Sequence, residues 1–518
     1  MTTQESVEIL GLWNIANAEP DRIALVDPSG REVTYRELAT LSNRYGTGLR
    51  ALGLQPGDVL VSMVHNCVEA VAAYFAAYQA GLYIVAVNWH LTGPEVAYIL
   101  TDSEAKAFIA SDRFAAAATI AADEAELPAV ARFSVGEIEG FKSVAWLSAA
   151  DTGRPDNRTT GAPMLYTSGT TGRPKGVRRP LTGADPDVVP PHSTAFFGLF
   201  ELAPYDNHVH ICGSPLYHTA VLNWATISIQ LGHKAVLMDR WDAEDMLRLI
   251  EKHRVTQSHM VPTQFHRLLA LPEQVRAKYD VSSLRSMVHG AAPCPQETKR
   301  QMLEWWGPTV TEYYAATEGG GTVINGTDWL RKPGSVGKAW PWSVIKVLSE
   351  EDGSELPAGE PGLVYMRMGA SSFEYHHDKE KTEDARVGDL FTVGDIGHLD
   401  EDGYLYLHDR RSDLILSGGV NIYPAEIESV LITHPKVADV AVFGLPHADW
   451  GQEVKAVVQP ADGFEGSEEL TAELLAFAAT QLAKYKMPRS VDYLDELPRD
   501  PNGKLYKRKL KDSYLATS

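Results

Sequence analysis

Helical stretches alternate with short apolar strands along most of the chain before residue 409, and that rhythm leaves few folds open. Residues 33–54 carry apolar side chains at helical spacing and end on Gly-Leu-Gln-Pro-Gly. The run "DVLVSMV" (58–64) follows as a strand, and "KAFIAS" (106–111) and "KAVLM" (234–238) read as further buried strands. Strands separated by helices pair in parallel and need helices over both faces, so the expectation is an α/β protein with parallel-rich sheets. From residue 70 to 89 the chain carries no charge, which raises the question of a membrane span. That stretch breaks at Gly81 into an alanine-rich half containing Gln79 and a β-branched half, "YIVAV". A buried helix feeding a buried strand is therefore expected.

The character changes at "DRRSDLILSGG" (409–419), after which the elements become short and mixed. "YPAEIESVLITHP" places a proline in a helix first turn and is expected to run to His434-Pro435. "VADVAVFGL" and "EVKAVVQP" read as strands, and "SEELTAELLAFAATQLA" as an amphipathic helix. The expectation is a large domain over residues 1–410 and a small α+β domain over 411–518, with a hinge between Arg410 and Asp413. The basic tail "KLYKRKLK" reads as a solvated helix end.

Forty-seven Lys and Arg stand against 68 Asp and Glu, a net charge of −21. Such a field repels a phosphate polyanion, so nucleic acid is not an expected partner. Three scattered cysteines, Cys67, Cys212 and Cys294, suggest neither a disulfide framework nor a metal knuckle and suit a reducing, cytoplasmic setting. The N-terminus lacks the basic and apolar regions of a signal peptide.

One segment calls for specific chemistry. In "MLYTSGTTGRPKGV" (164–177), Thr167, Ser168, Gly169, Thr170, Thr171 and Gly172 run without interruption and Lys175 follows. Glycines let backbone N–H groups converge without side-chain obstruction, hydroxyls add donors and an ammonium adds charge, which together suit a polyphosphate. The spacing differs from the G-x-x-x-x-G-K-[ST] loop. The segment resembles the signature loop of the AMP-forming acyl-CoA synthetases of the adenylate-forming superfamily. "PLYHTA" (215–220), "HGAAP" (289–293), "YYAATEGG" (313–320), "VGDIGHLDEDGYLYLHDRRSD" (393–413), "SGGVNIYPAEIE" (417–428) and "PRDPNGKLYKRKL" (498–510) follow in that family's order, so the resemblance covers nearly the whole chain.

The resemblance implies a large N-terminal domain, a small mobile C-terminal domain and a reaction in two halves. A carboxylate attacks the α-phosphate of ATP to give an acyl-adenylate and pyrophosphate. A thiol, usually of coenzyme A, then displaces AMP. It also implies residue roles. The 167–172 loop and Lys175 hold the β- and γ-phosphates, Thr317 binds the α-phosphate, and Glu318 holds magnesium, whose preference for oxygen suits a carboxylate. Tyr314 stacks on adenine opposite the backbone of Gly290, Ala291 and Ala292. Asp395 accepts both ribose hydroxyls, Arg410 makes a second ribose contact, and Lys504 bridges the attacking carboxylate and the α-phosphate. Gly418 and Gly419 leave room for the pantetheine arm. Ala315 replaces the family's usual glycine, and Ser412 stands at the hinge where Asp or Lys is common.

His218 resembles the residue beside the acyl carboxylate in fatty- and aryl-acid ligases. It speaks against α-amino acids, because a histidine cannot supply the anion that pairs with an amine. The walls after His218 and at residues 288–292 are apolar, which implies a fatty, aryl or bulky ring acid, with Trp224 either closing the pocket or belonging to the core. A homodimer is compatible with the sequence. Alternatives are an enzyme that loads a carrier protein, although no carrier domain is expected on this chain, a luciferase-like oxidative fate, or a non-catalytic binder. A serine hydrolase lacks its G-x-S-x-G elbow here, and zinc chemistry lacks an HExxH.

Overall fold

Thr34 shows how the rhythm in the sequence becomes structure. In the computed structural model of the chain, the Glu37 amide donates to the Thr34 hydroxyl (3.2 Å) and the Thr34 amide donates to the Glu37 carboxylate (2.7 Å). This reciprocal cap starts the Tyr35–Ala51 helix. The structure describes residues 9–149, 153–167, 175–316, 319–369, 374–375, 383, 385–417, 420–447, 449–499 and 505–515. They fall into two units. The first takes residues up to 259 with 277–287 and 372–384, and the second takes 260–276, 288–371 and the chain from 385 onward.

The first unit contains a six-stranded parallel sheet, ordered Lys142–Ser143, Arg132–Val135, Ala105–Ser111, Val59–Met63, Tyr83–Ala86 and Ala162–Pro163. Its strands are buried on both faces. Leu60, Ile84 and Ile109 point to one side, where Leu38 and Leu49 of Tyr35–Ala51 and Phe75 of the Val68–Gln79 helix pack. Val61, Val85 and Phe108 point to the other, against Val96 and Leu100 of Gly93–Asp102 and Ala118 of Ala115–Glu124. The uncharged 70–89 stretch is the buried helix and strand expected of it. Among the described residues no helix is long and apolar enough to cross a membrane.

Ile23–Val26, Lys234–Leu237 and Val209–Cys212 form a second parallel array in this unit. This array buries polar side chains under the Thr219–Gln230 helix. The Gln257 side-chain amide bonds His233 Nδ1 (3.0 Å), the Trp224 indole N–H donates to Gln257 Oε1 (3.2 Å), and His210 and His259 lie alongside. Phe196, Phe197 and Phe200 surround Trp224 with ring centroids 4.9–5.4 Å away. That places Trp224 in a closed aromatic cluster.

The second unit departs from the parallel expectation. Ser343–Leu348, Gly362–Met368, Leu390–Leu399 and Leu405–Arg410 pair antiparallel in sequence. The 400–404 connection is too short for a crossover helix and can only make a hairpin. At the 400–404 turn, Asp400 Oδ1 accepts both the Asp402 and the Tyr404 amides.

The C-terminal part of this unit is an α+β array as expected. Val437–His447 pairs with Gly451–Pro460, and Ser490–Tyr493 runs parallel to the latter. Pro424–Leu431 and Glu468–Ala479 contribute Ile427, Leu431, Leu470 and Leu474 to its core. The Pro424 helix ends at Leu431, three residues before the expected stop, in turns where the Thr433 hydroxyl donates to the Val430 carbonyl. The basic tail also differs from its expectation of a solvated end. Lys507–Leu515 is a docked helix with Leu510 buried against Ala441, Phe443 and Val457, and with Lys507 paired to Glu428 (2.8 Å).

Candidate active site

The glycine-hydroxyl loop springs from a hairpin. Leu165–Thr167 and Lys175–Arg178 are antiparallel, with Thr167 and Lys175 direct cross-strand partners. The backbone therefore returns to its starting point across the loop. Ser168, Gly169, Thr170, Thr171 and Gly172 lie outside the described residues. Tyr166 anchors the base, its hydroxyl donating to Asp102 Oδ2 (2.6 Å). Burial and then the Asp102 carboxylate raise the Tyr166 pKa, which keeps the phenol a neutral donor.

In the second unit three expected site residues come together. The Tyr314 hydroxyl donates to Asp395 Oδ2 (2.5 Å), and Arg410 Nε lies 3.3 Å from Asp395 Oδ1. Asp395 and Arg410 are register partners across adjacent antiparallel strands, so the sheet itself sets their pairing. The Asp395 side chain is 11% exposed and that of Arg410 53%, which makes the carboxylate a sheltered acceptor with a cation at its rim.

The segment opposite Tyr314 in the sequence reading is also shaped by sterics. A Cβ at Gly290 would sit 2.8 Å from the Tyr313 carbonyl oxygen, so only glycine fits there. Ala291 adopts φ +67°, a left-handed conformation, and Ala292 follows it. The departure at Ala315 is accommodated simply. Ala315 pairs with Gly321, whose missing side chain leaves room for the extra methyl.

Beneath these residues lies a buried ion pair that sequence reasoning missed. Lys299 Nζ is 2.6 Å from Glu312 Oε2, with the Lys299 side chain fully buried and His289 Nε2 3.8 Å from the same oxygen. Glu312 and Tyr314 are two apart on one strand and share a face. His289 directly precedes Gly290. The pair thus braces both the strand of Tyr314 and the 290–292 segment. A signal for it existed, because Lys299 falls in helical register with the buried Met302, Leu303 and Trp306.

His218 belongs to the first unit, directly before the Thr219–Gln230 helix, and its ring centroid is 4.2 Å from that of Tyr217. Tyr217 in turn meets Trp89 edge-on at 4.6 Å, giving His218 an aromatic flank. Thr317, Glu318, Gly418, Gly419 and Lys504 lie outside the described residues. Among the described residues no three His, Cys, Asp or Glu side chains converge as a metal site.

Comparison with known proteins covers almost the whole chain. The family model described as AMP-binding enzyme matches residues 12–374, and the model described as AMP-binding enzyme C-terminal domain matches 426–504. The long-chain-fatty-acid–CoA ligase FadD13 of Mycobacterium tuberculosis is 34% identical over 509 residues, covering 97% of each chain. The fatty acid–[acyl-carrier-protein] ligase ScoC of Streptomyces coeruleorubidus is 33% identical over 498 residues, covering 94% of this chain and 93% of its own. Among solved structures, the o-succinylbenzoate CoA synthetase MenE of Bacillus subtilis, in complex with the acyl-adenylate intermediate OSB-AMP, superposes with a TM-score of 0.78. It is 29% identical and covers 97% of both chains.

Proposed function

The chain belongs to the AMP-binding enzymes and is an AMP-forming acid–CoA ligase, and we propose that it activates a fatty, aryl or bulky ring acid through the residues assigned above. ATP and coenzyme A are its co-substrates. A carboxylate is a poor acylating agent because its leaving group would be oxide. Adenylation makes the leaving group AMP, so the protein's task is positioning and charge stabilisation.

The observation that carries the residue assignment is the Asp395 cluster. A carboxylate offers about four lone-pair sites. Tyr314 and Arg410 face one each, which leaves acceptor capacity for two vicinal ribose hydroxyls. The same hydrogen bond fixes the Tyr314 ring beside the ribose position, where adenine would stack, with the 290–292 backbone as the opposite wall. In this reading the loop at 167–172 and Lys175 hold the β- and γ-phosphates, Thr317 the α-phosphate, and Lys504 neutralises the approach of the acid. Glu318 would hold magnesium, one carboxylate with phosphate oxygens being a donor set that suits this ion. His218 and its aromatic flank border the acid, and Gly418 and Gly419 the thiol. We place the boundary between the large and mobile domains at residues 410–411 and the enzyme in the cytoplasm.

Replacing Tyr314 with phenylalanine should raise the KM for ATP about 10- to 100-fold with kcat little changed, the cost of one hydrogen bond to a carboxylate. Steady-state kinetics with ATP as the varied substrate measures it. An unchanged KM would remove Tyr314 from the nucleotide site.

The substrate is tested by product analysis with ATP, Mg²⁺, coenzyme A and a panel of fatty, benzoate-type and steroid acids. AMP, pyrophosphate and an acyl-CoA from one class would name the acid. The ScoC relative supports a second acceptor, a carrier protein. Acyl-adenylate formed without thioester would favour it. ADP, or no nucleotide turnover with any acid, would overturn the reading.

A further inference from the structure

Asp409 precedes the ribose-contacting Arg410 in the chain, and its side chain turns toward the C-terminal segments. Its Oδ2 accepts the Ala425 amide (2.9 Å), capping the first turn of the Pro424–Leu431 helix, and its Oδ1 accepts the Arg410 amide (2.8 Å). Glu428 of that helix holds Lys507 Nζ at 2.8 Å and also accepts the Val442 amide (2.7 Å). Lys507 opens the final helix and stands three residues after Lys504. Its side chain is 15% exposed. One mostly buried ammonium is therefore held by Glu428, on the helix whose first turn Asp409 caps, and the charges of Asp409 and Asp413 add to the negative field on it.

We propose that Asp409 and Lys507 are positioning residues for adenylation: Lys507, held by Glu428 on the helix that Asp409 caps, ties the chain that follows Lys504 to the strand that carries Arg410. The inference rests on the reading in which Lys504 serves the α-phosphate and Arg410 the ribose. In that reading two groups far apart in the chain must meet one nucleotide, and each needs a fixed register. The Lys507 anchor supplies that register at short range.

The electrostatics support the arrangement. Burial works against the Lys507 ammonium, yet Glu428 and Asp409 hold its pKa above the usual lysine value. Burial lifts the Asp409 carboxyl to about 6, against the opposing pull of Lys507 and the Ala425 amide, with Glu428 adding to the rise. An acid kept ionised in so unfavourable a place costs stability.

That charge defines the test. Asp409→Asn removes one negative charge from the cluster but keeps only one of the two acceptor oxygens, so its melting temperature should fall by no more than the modest amount that one lost hydrogen bond requires. Its single-turnover rate of acyl-adenylate formation should nevertheless fall about 10- to 100-fold, the penalty of a displaced catalytic group. Thioester formation from supplied acyl-adenylate should fall less. Lys507→Met should show the same split with lower stability, and Lys507→Arg should restore most of the adenylation rate. In hydrogen exchange on the full chain, residues 505–515 should exchange faster in Asp409→Asn than in the parent. Asp409→Asn adenylating within about threefold of the parent, or losing both half-reactions and melting temperature together, would overturn the proposal. Should the parent adenylate no acid at all, the reading of Lys504 fails by itself, and unchanged exchange across 505–515 would then overturn the tether as well.

Discussion

Lys504→Ala is expected to remove acyl-adenylate formation almost completely while leaving thioester formation from supplied acyl-adenylate largely intact. The size follows from the charges. The attacking carboxylate and the α-phosphate are both anions, and two unit charges about 4 Å apart repel by about 4 kcal/mol at an effective dielectric near 20. An ammonium between them reverses that penalty in the transition state. Losing about 4 kcal/mol of stabilisation corresponds to a rate about 10³-fold lower. The second half-reaction has no such meeting of anions, because AMP is then the leaving group and the attacker is a thiol. Pyrophosphate release in a single turnover reads the first half, and mass spectrometry of the thioester reads the second. Equal loss in both halves would show that Lys504 supports the fold or serves both steps, and would count against a division of labour between two arrangements of the C-terminal domain.

What could be read in advance was chemistry that concentrates in one short segment. Six consecutive Gly, Ser and Thr residues with a spaced lysine are improbable except around phosphate, so the 167–175 loop stood out by composition. The parallel sheet of the first unit was equally legible, because strands of apolar residues separated by helices have one economical arrangement. The antiparallel strands of 343–410 were not, since apolar runs look alike in either direction. Only the 400–404 connection is short enough to demand a hairpin.

Buried charge was the least visible feature. Lys507 lies in a tail that reads as solvated, and Lys299 carries no mark in the sequence, because lysines are usually exposed. Their burial is decided by partners elsewhere, Glu312 across a strand and Glu428 far back in the chain. Asp395 and Arg410 were found as members of a motif. That they are register partners follows from a hairpin the sequence did not announce.

Acid should unfold this protein at an unusually high pH, and the cause lies in the imidazoles under the Thr219–Gln230 helix. Burial holds His210 near a pKa of about 3, and His233 and His259 near about 4. His233 shows why the neutral form suits the fold. Its Nε2 faces the Ala203 carbonyl (2.9 Å), as a donor would, and its Nδ1 faces the Gln257 amide (3.0 Å), as an acceptor would. A second proton on Nδ1 would oppose the amide N–H.

In the unfolded chain each histidine titrates near about 6.5. As pH falls below that value the unfolded state takes up protons that the folded state refuses, so the stability present above about 6.5 is lost on acidification. Each such histidine contributes a slope of about 1.4 kcal/mol per pH unit, and three give a slope of about 4 kcal/mol per pH unit between about pH 6 and 4.5. Against a typical stability of about 5–15 kcal/mol, that slope should unfold the chain well before its carboxylates are neutralised.

Melting temperature measured from pH 7.5 to 4.5 should be flat at the top and fall steeply below about 6. His210→Leu isolates the cause, because neither ring nitrogen of His210 has a hydrogen-bond partner among the described residues and an apolar side chain leaves nothing unpaired. The variant should be as stable as the parent at pH 7.5 and lose about a third of the acid slope. A slope unchanged by His210→Leu would shift the origin of the acid sensitivity to the carboxylate pairs, whose loss belongs at lower pH.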